Sequence, residues 1–346
     1  MSKVLIAMSG GVDSSVAANI IMSRGYETQG AIMSLYGDTG SGNSEDIADA
    51  QRVADNLGIP LNIFDFSDEF KKYVITDFVE AYKNGLTPNP CIVCNKHIKF
   101  GRFLDKAVEL GFDYVATGHY AKVEYQSGRY IVKKADDESK DQSYMLWSLS
   151  QEQLSRVLLP LGEFTKDSAR DIAREVGFDN AEKHDSQDIC FIPDGEYASF
   201  IECWCNTKFE QGDFVNKSGE FIAKHKGLIN YTIGQRKGLG IAAPAPYYVL
   251  EKDPSSNRVI LGSNDDLFCD TLEAEKVNLI SIASLDKSMK VKAKVRYKQK
   301  ETEATITPLE NGNIQVRFDI PQRAITPGQS VVFYDGDIVV GGGIIK

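Results

Sequence analysis

The chain reads as an α/β protein: a doubly wound, mostly parallel sheet followed by a small β-rich central domain and a C-terminal β-barrel. Three observations predict this. In the first half, short apolar runs alternate with helical periodicities, the order that builds parallel sheets. The first apolar run stops at a serine and two glycines, directly before a helical pattern. After about residue 200 the texture changes to short β-like runs separated by Gly, Pro, Asn and Asp. This places an α/β domain at 1–198, a central domain at 199–268 and a barrel at 269–346.

Residues 3–8 form a buried strand, and 13–24 a helix ended by Gly25. Residues 28–35 are the second strand. In "SEDIADAQRVADNLG", Ile47, Ala50, Ala54 and Leu57 share one helical face, with Ser44 as N-cap and Gly58 as the stop. "IPLNIFDF" is the next strand. Phe70, Val74, Phe78 and Tyr82 recur at helical spacing, and "FDYVATGHYA" is a strand ending near Gly118. "KVEYQSGRYIVKKA" predicts a hairpin turning at Ser127-Gly128. A helical pattern covers about 142–177. Ligands of doubly wound sheets sit at the carboxyl ends of the strands, where the glycine turn, Met33 and Gly118 would meet.

Composition bounds the function. The 346 residues are 42% hydrophobic, enough for sizeable cores. No apolar run is long enough to span a bilayer and no signal-peptide pattern opens the chain, so a cytoplasmic location is expected. The formal charge of −10 excludes blanket nucleic-acid affinity but permits local basic patches. The six cysteines are Cys91, Cys94, Cys190, Cys203, Cys205 and Cys269. In a reducing compartment they suit metal or redox chemistry better than disulfides.

In "SGGVDS", Ser9, Gly10 and Gly11 let the backbone approach phosphate oxygens, with a helix N-terminus behind them. Ser14 and Ser15 add hydroxyl donors, and Asp13 is placed to cap the helix or to help hold Mg²⁺. The lysine of the common phosphate loop is missing. This string after a buried strand resembles the PP-loop ATP pyrophosphatases, of the adenine nucleotide alpha hydrolase-like fold. The resemblance implies that ATP is split into AMP and pyrophosphate to activate a carbonyl oxygen.

In "GLTPNPCIVCNKHIKFG", Cys91 and Cys94 lie one helical turn apart behind Pro88 and Pro90. A thiol at a helix N-terminus near Lys96 and His97 is expected to have a lowered pKa. A structural zinc half-site is the alternative, although Cys203 and Cys205 make a poor second half. Cys190, between Ile189 and Phe191, could equally be an inert buried thiol. None of the four histidines, His97, His119, His184 and His225, has metal-ligand spacing with another. His119 is the best candidate for an RNA or phosphate contact, whereas His184 beside Asp185 suits a loop hydrogen bond.

The blocks "TPNPC..CN..IKFG", "ATGHYA", "KDQSY", "DSQDICFI", "YTIGQRKGLG" and "RY" at 296–297 follow in this order. Together they resemble the bacterial tRNA-specific 2-thiouridylases over nearly the whole chain. The resemblance implies ATP-dependent sulfur transfer to C2 of the wobble uridine of tRNA. By motif, Cys94 would be the nucleophile and Cys190 the persulfide carrier. Asn89, Pro90 and Cys91 would lie against the target base. Ala7, Met8, Ser9, Gly10, Gly11, Val12, Asp13, Ser14, Met33 and Gly118 would surround ATP with its Mg²⁺. His119, Lys140, Asp141, Gln142, Arg296, Tyr297 and Gln329 would touch tRNA. Sulfur would come from a cysteine desulfurase, a sulfur-relay protein or free sulfide. Cys91, Cys94 and Cys190 could alternatively hold a four-iron four-sulfur cluster by three corners. Two other readings remain: another adenylating PP-loop enzyme of amidotransferase or argininosuccinate-synthase type, or a tRNA-binding protein that only senses ATP.

In "KVKAKVRYKQK", a strand over 290–300 would bury Val291, Ala293 and Val295 and present Lys290, Lys292, Lys294, Arg296, Lys298 and Lys300 on one face. Such a stripe suits phosphate contacts, or it guards an edge strand. Lys224, Lys226, Arg236 and Lys237 form a second basic island, and Lys96, Lys99 and Arg102 a third beside the thiols. Tyr144 and Trp147 could stack on an extruded base, but suit a helix core better.

Overall fold

The computed structural model describes residues 1–35, 43–183, 189–192 and 195–346. Strand β1 (Lys3–Ala7) is followed by helix α1 (Val12–Ser23), β2 (Glu27–Ser34), α2 (Asn43–Leu57) and β3 (Leu61–Asp65). α2 starts at Asn43, so Ser44 lies within its first turn rather than before it. β4 (Tyr114–Ala116) and β7 (Val157–Leu158) complete a parallel sheet of order β3-β2-β1-β4-β7.

The sheet is doubly wound because β1 is apolar on both faces. Val4 and Ile6 join the core built with α1, α2 and the helix Lys166–Val176. Leu5 and Ala7 point into the opposite core, which holds Phe70, Val74, Phe78 and Tyr82 as their spacing predicts. Alternate side chains of a strand face opposite ways, so one apolar run serves two layers. Two helical runs cover this second face. One comprises Ser67–Phe70, a π segment Lys71–Ile75 and Thr76–Lys83; the other comprises Pro90–Cys94, a π segment Asn95–Arg102 and Phe103–Glu109.

β7 interrupts the helical pattern expected over about 142–177, which otherwise holds in Ser143–Leu146, Gln151–Leu154, Pro160–Glu163 and Lys166–Val176. Two residues are too few to show a period, and their strand state is set by pairing with Val115 and Ala116. The hairpin β5 (Ala121–Gln126) and β6 (Arg129–Lys134) turns at Ser127 and Gly128, both at positive φ (52° and 83°).

The central domain is a four-stranded sheet of order β10-β11-β8-β9, from β8 (Gly212–Asn216), β9 (Phe221–His225), β10 (Tyr248–Asp253) and β11 (Arg258–Gly262). The C-terminal barrel comprises β12 (Phe268–Leu279), β13 (Met289–Lys294), β14 (Thr302–Pro308), β15 (Ile314–Arg323), β16 (Ser330–Asp335) and β17 (Ile338–Ile345). Their order is β12-β15-β14-β13-β16-β17, and pairing of β12 with β17 closes it. β17 also meets β6 through Ile338 and Lys133, so the hairpin of the first domain extends the barrel sheet. No helix among the described residues is long and apolar enough to cross a membrane.

Candidate active site

The chain leaves β1 at Ala7 and turns through Met8, Ser9, Gly10 and Gly11 into α1, whose first helical residue is Val12. Met8 N–H donates to Ala31 O at 2.8 Å, which holds the turn beside β2 and its half-buried Met33. Gly10 has φ +70°, and a Cβ there would lie 2.8 Å from the Asp46 carbonyl oxygen. A Cβ on Gly118 would lie 2.8 Å from the Asp13 carbonyl carbon and 2.9 Å from Ser14 N. Both positions require glycine, and both bring backbone against the head of α1. Ser14 Oγ donates to Gly11 O (2.9 Å) and accepts from Ser9 N–H (3.1 Å), closing the turn on itself. No side-chain cap bonds the α1 N-terminus among the described residues, so its N–H groups face an incoming anion. A polyphosphate fits this cradle.

Asp13 does not cap the helix. Its Oδ1 accepts from Tyr120 OH and from Lys166 Nζ, each at 2.8 Å. Lys166 is buried at the start of the helix Lys166–Val176. A lysine from a distant segment thus pairs with the carboxylate at the head of α1. Sequence reading missed it because nothing local marks a helix-start lysine as buried. Asn180, also unmarked, donates through Nδ2 to Gly10 O and Ser15 Oγ, each at 3.0 Å.

The first thiol helix begins as its sequence predicts. Asn89 is the N-cap, its Oδ1 accepting from Cys91 N–H at 3.1 Å, and Pro90 occupies the first turn. Asn89 Nδ2 also lies 3.7 Å from Met145 Sδ. The expected lowering of the thiol pKa is wrong. Cys94 is buried, and burial pushes its pKa up to about 12, with Lys99 opposing only in part. Cys91 is exposed, yet the protein around it still desolvates the thiol enough to raise its pKa. Desolvation outweighs the helix terminus at both positions. The cation that acts on the thiols is Lys99, not Lys96 or His97.

Cys190 is exposed, so the inert buried reading fails; its neighbours Phe191 and Ile192 are the buried residues. The Phe191 ring meets Phe70 at 5.7 Å and Phe78 at 5.3 Å, which pins this stretch on the helical layer. Cys91 and Cys190, as like charges, add to the rise at Cys94, which places the three thiols within electrostatic reach of one another. They do not form a metal centre: among the described residues no three His, Cys, Asp or Glu side chains are grouped to hold an ion.

His119 connects the two halves of the site. It follows Gly118, its Nδ1 lies 2.7 Å from Thr117 Oγ1, and its ring is 5.7 Å from Phe100. Burial, with Lys99 nearby, holds its pKa well below the ordinary value, so it is neutral. His184 and Asp185 lie outside the described residues.

The residues expected at tRNA divide into two groups. Tyr297 is half-buried beside Tyr144 (5.9 Å), in the field of Cys91 and Asp141, and so borders the thiol cleft. Gln329 Nε2 donates to Thr87 O at 2.8 Å and Pro88 O at 3.3 Å, which ties the barrel to the loop before Cys91. Lys140 is half-buried, its N–H donating to Asp137 O. The others are committed inside the protein. Asp141 accepts from Ala135 N, Ser143 N and Ser143 Oγ. Gln142 Oε1 accepts from Tyr120 N. Arg296 Nη2 donates to Ile233 O, Ala324 O and Thr326 Oγ1, clamping the central domain to the barrel. Tyr144 and Trp147 are core residues that bond Ser330.

The basic stripe is shorter than expected. β13 stops at Lys294, and 295–300 bend away, so Arg296, Lys298 and Lys300 leave its face. Val291, Ala293 and Val295 are buried as the alternation predicts. Lys290 pairs with Asp319 of β15 at 3.1 Å and Lys292 with Glu303 of adjacent β14 at 3.9 Å, so carboxylates of the barrel offset the stripe in part. Lys226, Arg236 and Lys237 are exposed.

Residues 2–194 match the family model described as tRNA methyl transferase HUP domain, 198–263 the tRNA methyl transferase PRC-barrel domain, and 269–345 the aminomethyltransferase beta-barrel domain. The chain is 51% identical over 352 residues to a tRNA-specific 2-thiouridylase of Clostridium tetani, covering 99% of this chain and 98% of that one. It is 49% identical over 355 residues to that of Acetivibrio thermocellus (99% of each), and 48% identical over 352 residues to that of Clostridium acetobutylicum (99% of each). A glycine turn at the head of α1, a helix carrying Cys91 and Cys94 and a barrel tied to the loop before it therefore sit in a chain that belongs to the tRNA-specific 2-thiouridylase family.

Proposed function

We propose that the protein is a cytoplasmic tRNA-uridine 2-sulfurtransferase that uses ATP to make 2-thiouridine at the wobble position. The observation that carries this reading is the shared neighbourhood of Cys91, Cys94 and Cys190, joined to the nucleotide turn through Gly118, His119 and Lys99.

The turn Ser9–Gly11 and the α1 N-terminus receive the polyphosphate of ATP with its Mg²⁺, and Lys166 lies beside it. The uridine O2 attacks the α-phosphorus, pyrophosphate leaves, and the C2 oxygen becomes an AMP ester. A donor (a cysteine desulfurase, a sulfur-relay protein or free sulfide with an oxidant) leaves Cys190 as a persulfide. Its terminal sulfur attacks C2 and AMP departs, leaving the base joined to Cys190 by a disulfide. Cys94, once deprotonated, attacks Cys190 Sγ; the C2–sulfur bond remains and 2-thiouridine leaves. A thiol reductant then reduces the Cys94–Cys190 disulfide. Burial keeps Cys94 protonated, so it stays unreactive until the base and the persulfide arrive.

The base must leave the anticodon stack, at a cost of a few kcal/mol. Asn89, Pro90 and Cys91 form the wall it meets, with Tyr297 at the rim. In this reading 1–198 carries the chemistry, while 199–268 and 269–346 hold the tRNA.

The test combines protein, unmodified tRNA, ATP and a sulfur source, and measures 2-thiouridine and AMP. Cys190→Ser should lose thiolation at least a hundredfold while ATP and tRNA binding stay within about threefold. Full thiolation by that variant would defeat the sulfur assignment.

A further inference from the structure

The geometry points to the turn 231–238 of the central domain, with Arg236 and Lys237 at its crest, as a phosphate-binding surface for RNA, and to Arg296 as the positioning residue that sets this turn against the barrel. That the RNA is tRNA rests on the proposed function. The turn is held by one side chain. Thr232 N–H donates to Gln235 Oε1 and Gln235 N–H donates back to Thr232 O, each at 3.0 Å. Gln235 Nε2 donates to Lys237 O at 3.0 Å. Gly234 N–H donates to Val249 O at 2.8 Å and Val249 N–H to Gln235 O at 3.0 Å, which fixes the turn on β10. Tyr231 and Ile233 are buried in the central core with Phe214 and Val249, whereas Arg236 and Lys237 are exposed. The backbone under the two cations is therefore ordered before any ligand arrives.

Charge sets this turn apart from the other basic stretches. In the same domain Lys217 pairs with Asp266 and Lys224 with Asp213, as Lys290 and Lys292 pair with carboxylates of the barrel. Among the described residues no carboxylate lies within ion-pair distance of Arg236 or Lys237. On the barrel side, exposed Lys298 follows Arg296 by two residues and has no such partner either. In a chain of formal charge −10, cations left without carboxylates are where a polyanion can approach.

Arg296 fixes where the two cations point relative to the barrel. Its Nη2 donates to Ile233 O at 3.1 Å inside the turn, and to Ala324 O at 3.1 Å and Thr326 Oγ1 at 2.7 Å on the barrel side. Its Nε is buried without a partner, so the group sits in the seam rather than on the surface. Gly234 has φ +87°, and a Cβ there would lie 2.8 Å from Ala324 Cβ and 3.6 Å from Arg323 Nη1, so the turn meets the barrel with no side chain between them. Arg323 adds a second link, its guanidinium 5.5 Å from the Tyr248 ring centre and its Nε donating to Asn264 Oδ1 at 3.0 Å. Arg236 and Lys237 follow, three and four residues after the carbonyl that Arg296 holds. Arg296 thus acts on RNA through the turn, while Arg236 and Lys237 meet the phosphates.

The test measures binding of the full chain to unmodified tRNA by fluorescence anisotropy across about 50 to 200 mM monovalent salt. In the parent protein log Kd should rise linearly with log salt. Arg236→Ala combined with Lys237→Ala should weaken binding about tenfold and lower the slope by about 1–2, close to one for each lost phosphate contact. Arg296→Met should lower affinity and slope by the same amounts, and should add nothing to the Arg236→Ala, Lys237→Ala protein. Arg296→Lys keeps the charge but not the planar set of donors, so it should behave like Arg296→Met, and it serves where the methionine variant does not fold. Losses that add, or parent-like affinity in Arg296→Lys, show a direct phosphate contact and overturn the positioning role. An unchanged slope in the Arg236→Ala, Lys237→Ala protein overturns the surface. A parent protein that binds no tRNA sinks the functional reading together with the surface, whereas a parent that binds and thiolates tRNA while the variants depart from these values sinks this inference alone.

Discussion

The Cys94 thiol sits where its anion is least stable. Burial raises its pKa to about 12, and Lys99 recovers only part of that cost. At pH 7 the group is neutral, which protects it from adventitious alkylation. Its alkylation rate should rise about tenfold per pH unit from 7 to 10, well past the point where an ordinary thiol levels off near 8.5. Peptide mapping after iodoacetamide reads this, and a plateau below pH 9 would contradict the burial argument. Gly118 shows the same dominance of packing. Its α-hydrogen faces the Asp13–Ser14 peptide, and a methyl group there would sit 2.8 Å from backbone that cannot rotate away. Gly118→Ala should therefore push the head of α1, costing about 1–3 kcal/mol in overpacking and raising the ATP dissociation constant at least tenfold. Titration calorimetry with ATP checks it.

The elements that matter most are those held by partners distant in sequence. The loop 86–89 before the thiol helix has no regular structure of its own. Thr87 N–H donates to Pro327 O at 2.9 Å, and Gln329 Nε2 donates back to Thr87 O and Pro88 O. The tight turn at Gly328 (φ +90°) allows the approach, since a Cβ there would lie 2.9 Å from Thr87 N. Gln329→Leu should cost about 1–2 kcal/mol of stability, because two carbonyls lose their shared donor. It should speed Cys91 alkylation several-fold as the loop loosens; an unchanged rate would show that the tether does not govern the cleft. This role of Gln329 was not legible in the sequence, where only the family motif singled it out. The N-cap Asn89 with Pro90 was legible, because a cap acts within one turn. The stripe on β13 was half legible: alternation fixed the inward Val291, Ala293 and Val295, but not where the strand would bend or which carboxylates would face the lysines.

Across the whole molecule, the domains meet through single buried polar groups as well as apolar surface. Lys252 of β10 lies with Nζ 5.7 Å from the Tyr82 ring centre and 3.4 Å from Leu86 O, and burial depresses its pKa to about 8. A lowered lysine pKa means that the folded state binds the proton less tightly than the unfolded chain. Stability from this group therefore rises with pH between about 8 and the ordinary lysine value of 10.5, and the burial cost is full at pH 7. Lys252→Met should stabilise the protein at pH 7 by about 1–3 kcal/mol, and the gain should shrink above pH 8. Melting temperatures of both proteins across pH 7 to 10 decide it.

The amino-acid sequence by itself determined what short-range physics controls. The two-faced apolar strand before "SGG", the helical stripes of Ile47–Leu57 and Phe70–Tyr82, the Ser127-Gly128 hairpin and the capped thiol helix follow from periods of two and 3.6 residues and from local φ preferences. The motif string, read as a whole, also carried the family. Only the tertiary structure decided the protonation of Cys94, the exposure of Cys190, the pairing of Lys166 with Asp13 and of Asn180 with the nucleotide turn, and the carboxylates that face Lys290 and Lys292. Each depends on which distant groups desolvate or pair with a side chain. Desolvation and ion pairing are set by neighbours in space, and no local pattern along the chain encodes them.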